Sequence, residues 1–284
     1  MTSSEILVCS DLSEVDTNLV LRARLLAKHL NAGITVIHAI DPIRFPMIDG
    51  AAELLVQIKP HIRERLHKIV DVDSGSVRLL LEEGHPATVI PDVIDRLGAN
   101  LVVLGIRGNG YVDGQSIGAN VSRVLRETVC NALVVKRSAT SMYQRVLVPV
   151  DFSTNSMRSL QAAIVLAPKA HFYIQHTCEI AYEGLLYRSN TDKESIVENR
   201  LRERNEAVRK IEQWAKELGM LRESFTPLVN HGHPRARAIK LERDFECDLI
   251  ALGKRGHSLL QKYLLGSFAA YVLSESAADV LVVS

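Results

Sequence analysis

The chain has 284 residues, 47% of them hydrophobic, a formal net charge of +1 and four cysteines. That length suits two domains of ordinary size, and the apolar fraction is enough for two packed cores. The near-neutral charge removes the main electrostatic reason to expect nucleic acid or a membrane surface as partner, and no apolar run approaches the ~18–20 residues of a membrane span.

The first residues, Met1-Thr-Ser-Ser-Glu5, carry no basic region and no signal-peptide core, so the expected location is cytoplasmic. Ile6–Cys9 is a short apolar run that ends at Asp11. Thr17 or Asp16 can cap a helix whose apolar face includes Val20, Leu21, Leu25 and Leu30. Ile34–Ile40 is rich in β-branched residues and reads as a strand. Pro42 and Pro46 mark a loop, and Leu54, Leu55, Ile58, Ile62, Leu66 and Ile69 recur at helical spacing. Val77–Leu81 is a third strand, and Pro86 opens a third helix at a position where proline is well tolerated. Leu101–Leu104 is a fourth strand, a helix follows near Ala119–Glu127, and Ala132–Val135 closes the unit. Lys136–Tyr143 reads as a linker.

The order then repeats. Ile6-Leu-Val-Cys-Ser-Asp11-Leu-Ser13 echoes Val146-Leu-Val-Pro-Val-Asp151-Phe-Ser153, and Val36-Ile-His38 echoes Ile174-Gln-His176. Gly84-His-Pro86 echoes Gly232-His-Pro234, and Cys130–Val135 echoes Ala278–Val283. The offset is 140 at the aspartates, 138 at the histidines and 148 at the Gly-His-Pro segments, so the second copy carries about ten extra residues after its second strand. Its longer second helix reads through Val197, Leu201, Val208, Ile211, Ala215 and Leu218, with Gly219 as a C-cap. A period this long means duplicated domains, not solenoid units of roughly 20–50 residues. We place the units at residues 1–139 and 140–284. Strands alternating with helices predict an α/β fold: two tandem doubly wound domains, each a five-stranded parallel sheet with helices on both faces. Ligands of such sheets bind beyond the carboxyl ends of the strands, where strand order reverses.

Asp11, Asp151 and two glycine loops fall at such ends. Gly253-Lys-Arg-Gly256, nine residues, then Gly266-Ser267 follows the apolar run Asp248–Leu252. Gly105-Ile-Arg-Gly108, nine residues, then Gly118 follows Leu101–Leu104. Glycines there let the backbone turn and approach an anion, and N–H groups at the start of the next helix point at phosphate oxygens. Lys254, Arg255 and His257 add positive charge to the second loop, and Arg107 does so more sparsely in the first. Asp151 is read either as a ribose ligand or as the residue that orders its own turn. Pro149 suggests a local bend beside the crevice. His38 and His176 read as core or supporting histidines. His231 and His233 lack any Cys/His spacing of a metal site, so no metal is expected. Cys9, Cys130, Cys178 and Cys247 form no C-x-x-C and are expected to be four buried thiols in a reducing cytosol.

These motifs make the chain resemble, over essentially its whole length, a tandem universal stress protein. The family pattern is a strand ending in P-x-D, then G-x-x-G, nine residues and G-[S/T]; Pro149, Asp151, Gly253, Gly256, Gly266 and Ser267 match it in full. The resemblance implies that Asp151 holds an adenosine and that the backbone of Thr177 meets the adenine edge. It implies that the glycine loop and Ser267 hold ribose and phosphates. In the first copy Asp11, Ala39, Gly105, Gly108 and Gly118 fall on the pattern. Cys9 and Ala119 depart from it, so the first copy is expected to bind more weakly. The implied ligand is ATP, or ADP or AMP, with Mg2+ accompanying the phosphates. By the same resemblance the halves pack as an internal pseudo-dimer through their terminal strands, and a homodimer of chains is compatible with it.

The leading reading is therefore a cytosolic ATP-binding stress or regulatory protein. A P-loop, G-x-x-x-x-G-K-[ST], is absent, and Gly105, Gly108 and Gly110 have the wrong order and place for a dinucleotide fingerprint. No acid–base pair or nucleophile constellation stands out. Two alternatives stay open: a slow ATP-hydrolysing enzyme, and a nucleotide-free interaction scaffold.

Overall fold

Ten apolar runs pair into one sheet in the computed structural model, which describes residues 4–13, 15–41, 51–70, 77–106, 117–178, 193–254 and 265–284. In chain order the first half holds β1 (Glu5–Ser10), α1 (Asp16–Leu30), β2 (Gly33–Ile40), α2 (Ala51–Val70), β3 (Val77–Glu83), α3 (Pro86–Leu97), β4 (Leu101–Gly105), α4 (Ala119–Glu127) and β5 (Asn131–Val135). The second holds β6 (Arg145–Val150), α5 (Thr154–Leu166), β7 (His171–Cys178), α6 (Lys193–Glu217), β8 (Phe225–His231), α7 (Pro234–Asp244), β9 (Leu249–Gly253), α8 (Ser267–Glu275) and β10 (Asp279–Val283). The sheet order is β3-β2-β1-β4-β5-β10-β9-β6-β7-β8. Each half is parallel throughout, and the halves meet through the antiparallel pair β5–β10. The architecture is thus two tandem α/β domains sharing one sheet.

In both halves strand order reverses next to the first strand, between β1 and β4 and between β6 and β9. Pairing there is short. The β1–β4 register stops at Val8↔Val103 and the β6–β9 register at Leu147↔Ile250, before Cys9 and Pro149. The missing N–H of Pro149 therefore falls where the ladder to β9 has already ended. The two Gly-His-Pro segments turn the chain from strand to helix. Gly84 and Gly232 have φ of +133° and +123°, which side chains rarely adopt, and a Cβ on Gly84 would meet Val89 at 2.7 Å. Pro86 and Pro234 then open α3 and α7.

Alternation along β5 and β10 feeds two continuous cores. Leu133, Val135, Leu281 and Val283 join the face covered by α1, α2, α5 and α6, with Leu26, Leu66, Leu160 and Ile211 packed there. Ala132, Val134, Val280 and Val282 join the opposite face, under α3, α4, α7 and α8. Both cores run across the boundary between the halves. β10 is buried along its whole length, so an apolar strand that would be a hazard at an edge lies in the middle of the sheet.

The linker is held rather than loose. Asp279 is fully buried; its Oδ1 accepts from the backbone N–H groups of Lys136 (2.7 Å) and Arg137 (2.8 Å), and its Oδ2 accepts from the Tyr143 hydroxyl (2.6 Å). Arg22 pairs with the same carboxylate at 3.4 Å, donates to the Ser141 carbonyl at 2.7 Å and stacks 4.2 Å over the Tyr143 ring. Lysines cross the boundary in both directions. Lys136 donates to the carbonyls of Leu273 and Ser276 at the end of α8. Lys254 donates to the carbonyls of Arg126 (2.7 Å) and Thr128 (2.8 Å) at the end of α4. Each cation meets the negative end of a helix.

A shared core predicts shared unfolding. Val282→Asp places an unpaired carboxylate opposite Ala132 in the central pair and is expected to cost several kcal/mol. Calorimetry should show one transition that moves down as a whole. A split profile in which a first-half transition keeps its position contradicts the shared core.

Candidate functional site

The two strand-end turns are built alike. Leu12 and Phe152, each following an aspartate, have φ of 64° and 60°, a strained setting for non-glycine residues. The turn is held by the aspartate: Ser13 N–H donates to Asp11 Oδ1 and Ser153 N–H to Asp151 Oδ1, both at 3.0 Å. Ser153 Oγ also donates to Asp151 at 2.5 Å, and Ser153 caps α5. His38 Nδ1 lies 2.9 Å from the Ser10 carbonyl and His176 Nδ1 lies 2.8 Å from the Val150 carbonyl. A carbonyl only accepts, so Nδ1 carries the proton in both rings. Burial holds the pKa of His38 below its ordinary value. Both histidines support the strand ends from the neighbouring strand.

The first half forms a cavity of about 380 Å³ at its switch point, within the usual range for small-ligand sites. Asp11, Ala39, Gly105 and Gly118 all line it, together with Cys9, Asp16, His38 and Asp41. No lysine or arginine is among its described lining residues. Gly108 lies outside the described residues, as does Arg107.

In the second half Pro149 is the penultimate residue of β6, Asp151 follows that strand, and Gly253 ends β9 beside it. Thr177 is buried on β7, opposite Asn230, and its hydroxyl accepts from Gln175. Gly266 and Ser267 begin α8, and the loop before them is closed at its root by Gly266 N–H donating to the Lys254 carbonyl at 2.9 Å. The matching bond in the first half runs from Gly118 to Ile106 at 3.1 Å. Gly256, Arg255 and His257 lie outside the described residues.

Three readings from the sequence change here. Lys254 does not point its charge into the loop region: its side chain is buried and spent on the α4 carbonyls. Gly118 and Gly266 have φ of −55° and −59°, which any residue adopts, so what they offer is a missing Cβ at a helix mouth and not a turn. Cys9 and Cys130 are only partly buried, while Cys178 and Cys247 are buried, and all four are free. Burial pushes the Cys130 thiol up to about 11 and the Cys247 thiol up to about 12, far from a nucleophile's range.

One residue was missed. Arg235, directly after Gly232-His-Pro234, donates from Nη2 to Ser267 Oγ at 2.7 Å. The repeat itself was the available signal, since Ala87 stands at the matching place 148 residues earlier.

The Universal stress protein family model matches residues 3–136 and again 142–284. Universal stress protein MJ0531 of Methanocaldococcus jannaschii is 27% identical over 162 residues, 56% of this chain and 91% of that protein. A universal stress protein from Archaeoglobus fulgidus is similar in structure over 100% of this chain and 99% of its own, with a TM-score of 0.72 at 18% identity, a likeness of fold. A family structure from the same organism was solved in complex with dAMP; it covers 46% of this chain and 97% of its own at 20% identity, with a TM-score of 0.35.

The first cavity also holds a titrating group. Asp16 is 2% exposed and accepts from Ser10 Oγ (2.5 Å) and Leu12 N–H (2.7 Å). It takes the place at the start of α1 where the sequence suggested an N-cap; the actual N-cap, Val15, has no side-chain bond. Burial, assisted by Asp11, outweighs those bonds and raises its carboxyl to about 7. The folded state therefore keeps a proton that the unfolded chain has lost, and this contribution to stability is lost as pH rises from about 3.8 to about 7. Asp16→Asn keeps an acceptor oxygen without the charge. Its melting temperature relative to the parent should climb across that window and level off above it; a difference that is constant with pH contradicts the assignment.

Proposed function

The chain belongs to the universal stress protein family, and from that premise we propose that it is a cytosolic, adenine-nucleotide-binding regulatory protein whose principal site lies in the second half. Its units are residues 1–139 and 140–284, and its ligand is ATP, ADP or AMP with Mg2+ accompanying the phosphates. The carrying observation is the Arg235–Ser267 contact at the mouth of α8. A guanidinium, a hydroxyl and a helix N-terminus without a side-chain cap meet at one point, and each favours an anion. Asp151 and Thr177 stand at the ends of the neighbouring strands, where the sugar and base would lie.

The first half offers less to a phosphate. Ala87 and Ala119 occupy the places of Arg235 and Ser267. Its cavity carries Asp11, Asp16 and Asp41 with no described cation, a lining better suited to a nucleoside or a neutral group. Slow hydrolysis becomes the weaker reading, because Lys254 is committed to the α4 carbonyls and is not available to a triphosphate. Among the described residues no helix is long and apolar enough to cross a membrane.

Calorimetry with ATP tests the site. Arg235→Ala should weaken binding by about 1.5–3 kcal/mol, roughly 10–100-fold, as expected for a lost hydrogen bond to a charged group. Gly266→Val should abolish tight binding while the fold persists, because its backbone angles suit valine. Unchanged affinity in both variants would reject the second-half site.

A further inference from the structure

We propose that Cys178, Glu203 and His231 form a metal site of the second half, with Zn2+ as the metal their chemistry selects. The ligand atoms of these three residues lie within 4.8 Å of one another, so small side-chain movements bring them to the spacing of one coordination sphere. Two of them are placed by the sheet. Cys178 ends β7, His231 ends β8, and they stand directly opposite in the parallel register, where neighbouring strands lie about 4.8 Å apart. Side chains in register project to the same face. The backbone there is pinned: Gly232 N–H donates to the Cys178 carbonyl at 3.3 Å and Arg237 Nε donates to the His231 carbonyl at 3.1 Å. Glu203 comes from α6, the helix that packs against β7 and β8.

A second observation points to a ligand. The Nδ1 atom of His231 is buried and makes no hydrogen bond among the described residues. A buried polar atom left unpaired costs free energy that a metal or its bound water would recover. Metal binding replaces the S–H bond with a metal–sulfur bond and releases the proton to solvent. Sulfur, imidazole and carboxylate together suit Zn2+ and disfavour the hard cations Mg2+ and Ca2+. Three protein ligands leave a fourth position for water or a substrate group.

Among the described residues the site has no counterpart in the first half. The register pair at the same place in the first half is Ile40↔Glu83, which offers neither sulfur nor imidazole. The ligands are remote in sequence and come from two strands and a helix, which is why a search for Cys/His spacing finds nothing.

The full-length protein, stripped with a chelator, should be titrated with Co2+ as a spectroscopic stand-in and then with Zn2+. We expect one equivalent of Co2+ to produce a thiolate-to-cobalt charge-transfer band that Zn2+ removes. Cys178→Ser should eliminate the band, and Cys130→Ser should leave it intact. Glu203→Gln changes an exposed side chain, folds normally by circular dichroism and should weaken Co2+ binding about tenfold or more, since even outer partners of a metal site cost 10–100-fold when removed. Absence of the band, its survival in Cys178→Ser, or equal affinity in Glu203→Gln would overturn the site.

Discussion

The antiparallel pairing of β5 with β10 is the contact on which the rest of the molecule depends. It joins two parallel five-stranded halves into one sheet and lets both faces carry a continuous core across the junction. Asp279 secures the junction from the first residue of β10. A carboxylate with no exposure is costly unless paired, and here it is met by two linker N–H groups, a tyrosine hydroxyl and Arg22. The linker is thereby part of the interface and not a tether. Because the halves run antiparallel at the junction, the carboxyl ends of their strands point in opposite directions along the strand axis. The two crevices therefore open away from each other. They are still mechanically connected: Lys254, at the root of the second glycine loop, holds the far end of α4, the helix whose start lines the first cavity.

Duplication has preserved the frame and changed the contents. The positive φ after each aspartate, the aspartate-to-serine turn and the histidine bonded to the strand-end carbonyl occur in both halves with nearly equal geometry. The side chains at matching positions differ. Cys9 stands against Pro149, Asp16 against Ser156, Ala87 against Arg235 and Ala119 against Ser267. Of these, Ala87 and Ala119 lack the guanidinium and hydroxyl donors of Arg235 and Ser267, and Asp16 adds a buried carboxyl to the first half. Local charge thus differs between the halves, with the same backbone beneath both, and this difference is the basis of the proposed second-half site.

The backbone frame was legible because it rests on local rules. Apolar runs of four to eight residues, proline at helix starts and the repeat of the whole order located the first-half strands to within two residues, as in Val77–Leu81 against the observed Val77–Glu83, while the two long helices begin three and four residues before their first apolar positions. What escaped was set by distance in space. Lys254 reads as a loop cation until the first half is seen to supply two carbonyls for it. Nothing in the sequence pairs Arg235 with Ser267, 32 positions on, until α8 is folded beside it. Asp16 reads as a cap, whereas the strained turn at Leu12 brings a backbone N–H back to it. Cys178 and His231 become neighbours only through the β7–β8 register.

The central claim is that one continuous sheet carries two unequal sites, and native mass spectrometry of the intact chain during an ATP titration tests it most directly. The account predicts that a singly occupied species accumulates to near completion before any doubly occupied species appears, and that Arg235→Ala removes this first step. Statistical filling of two equal sites, unaffected by that substitution, would contradict it.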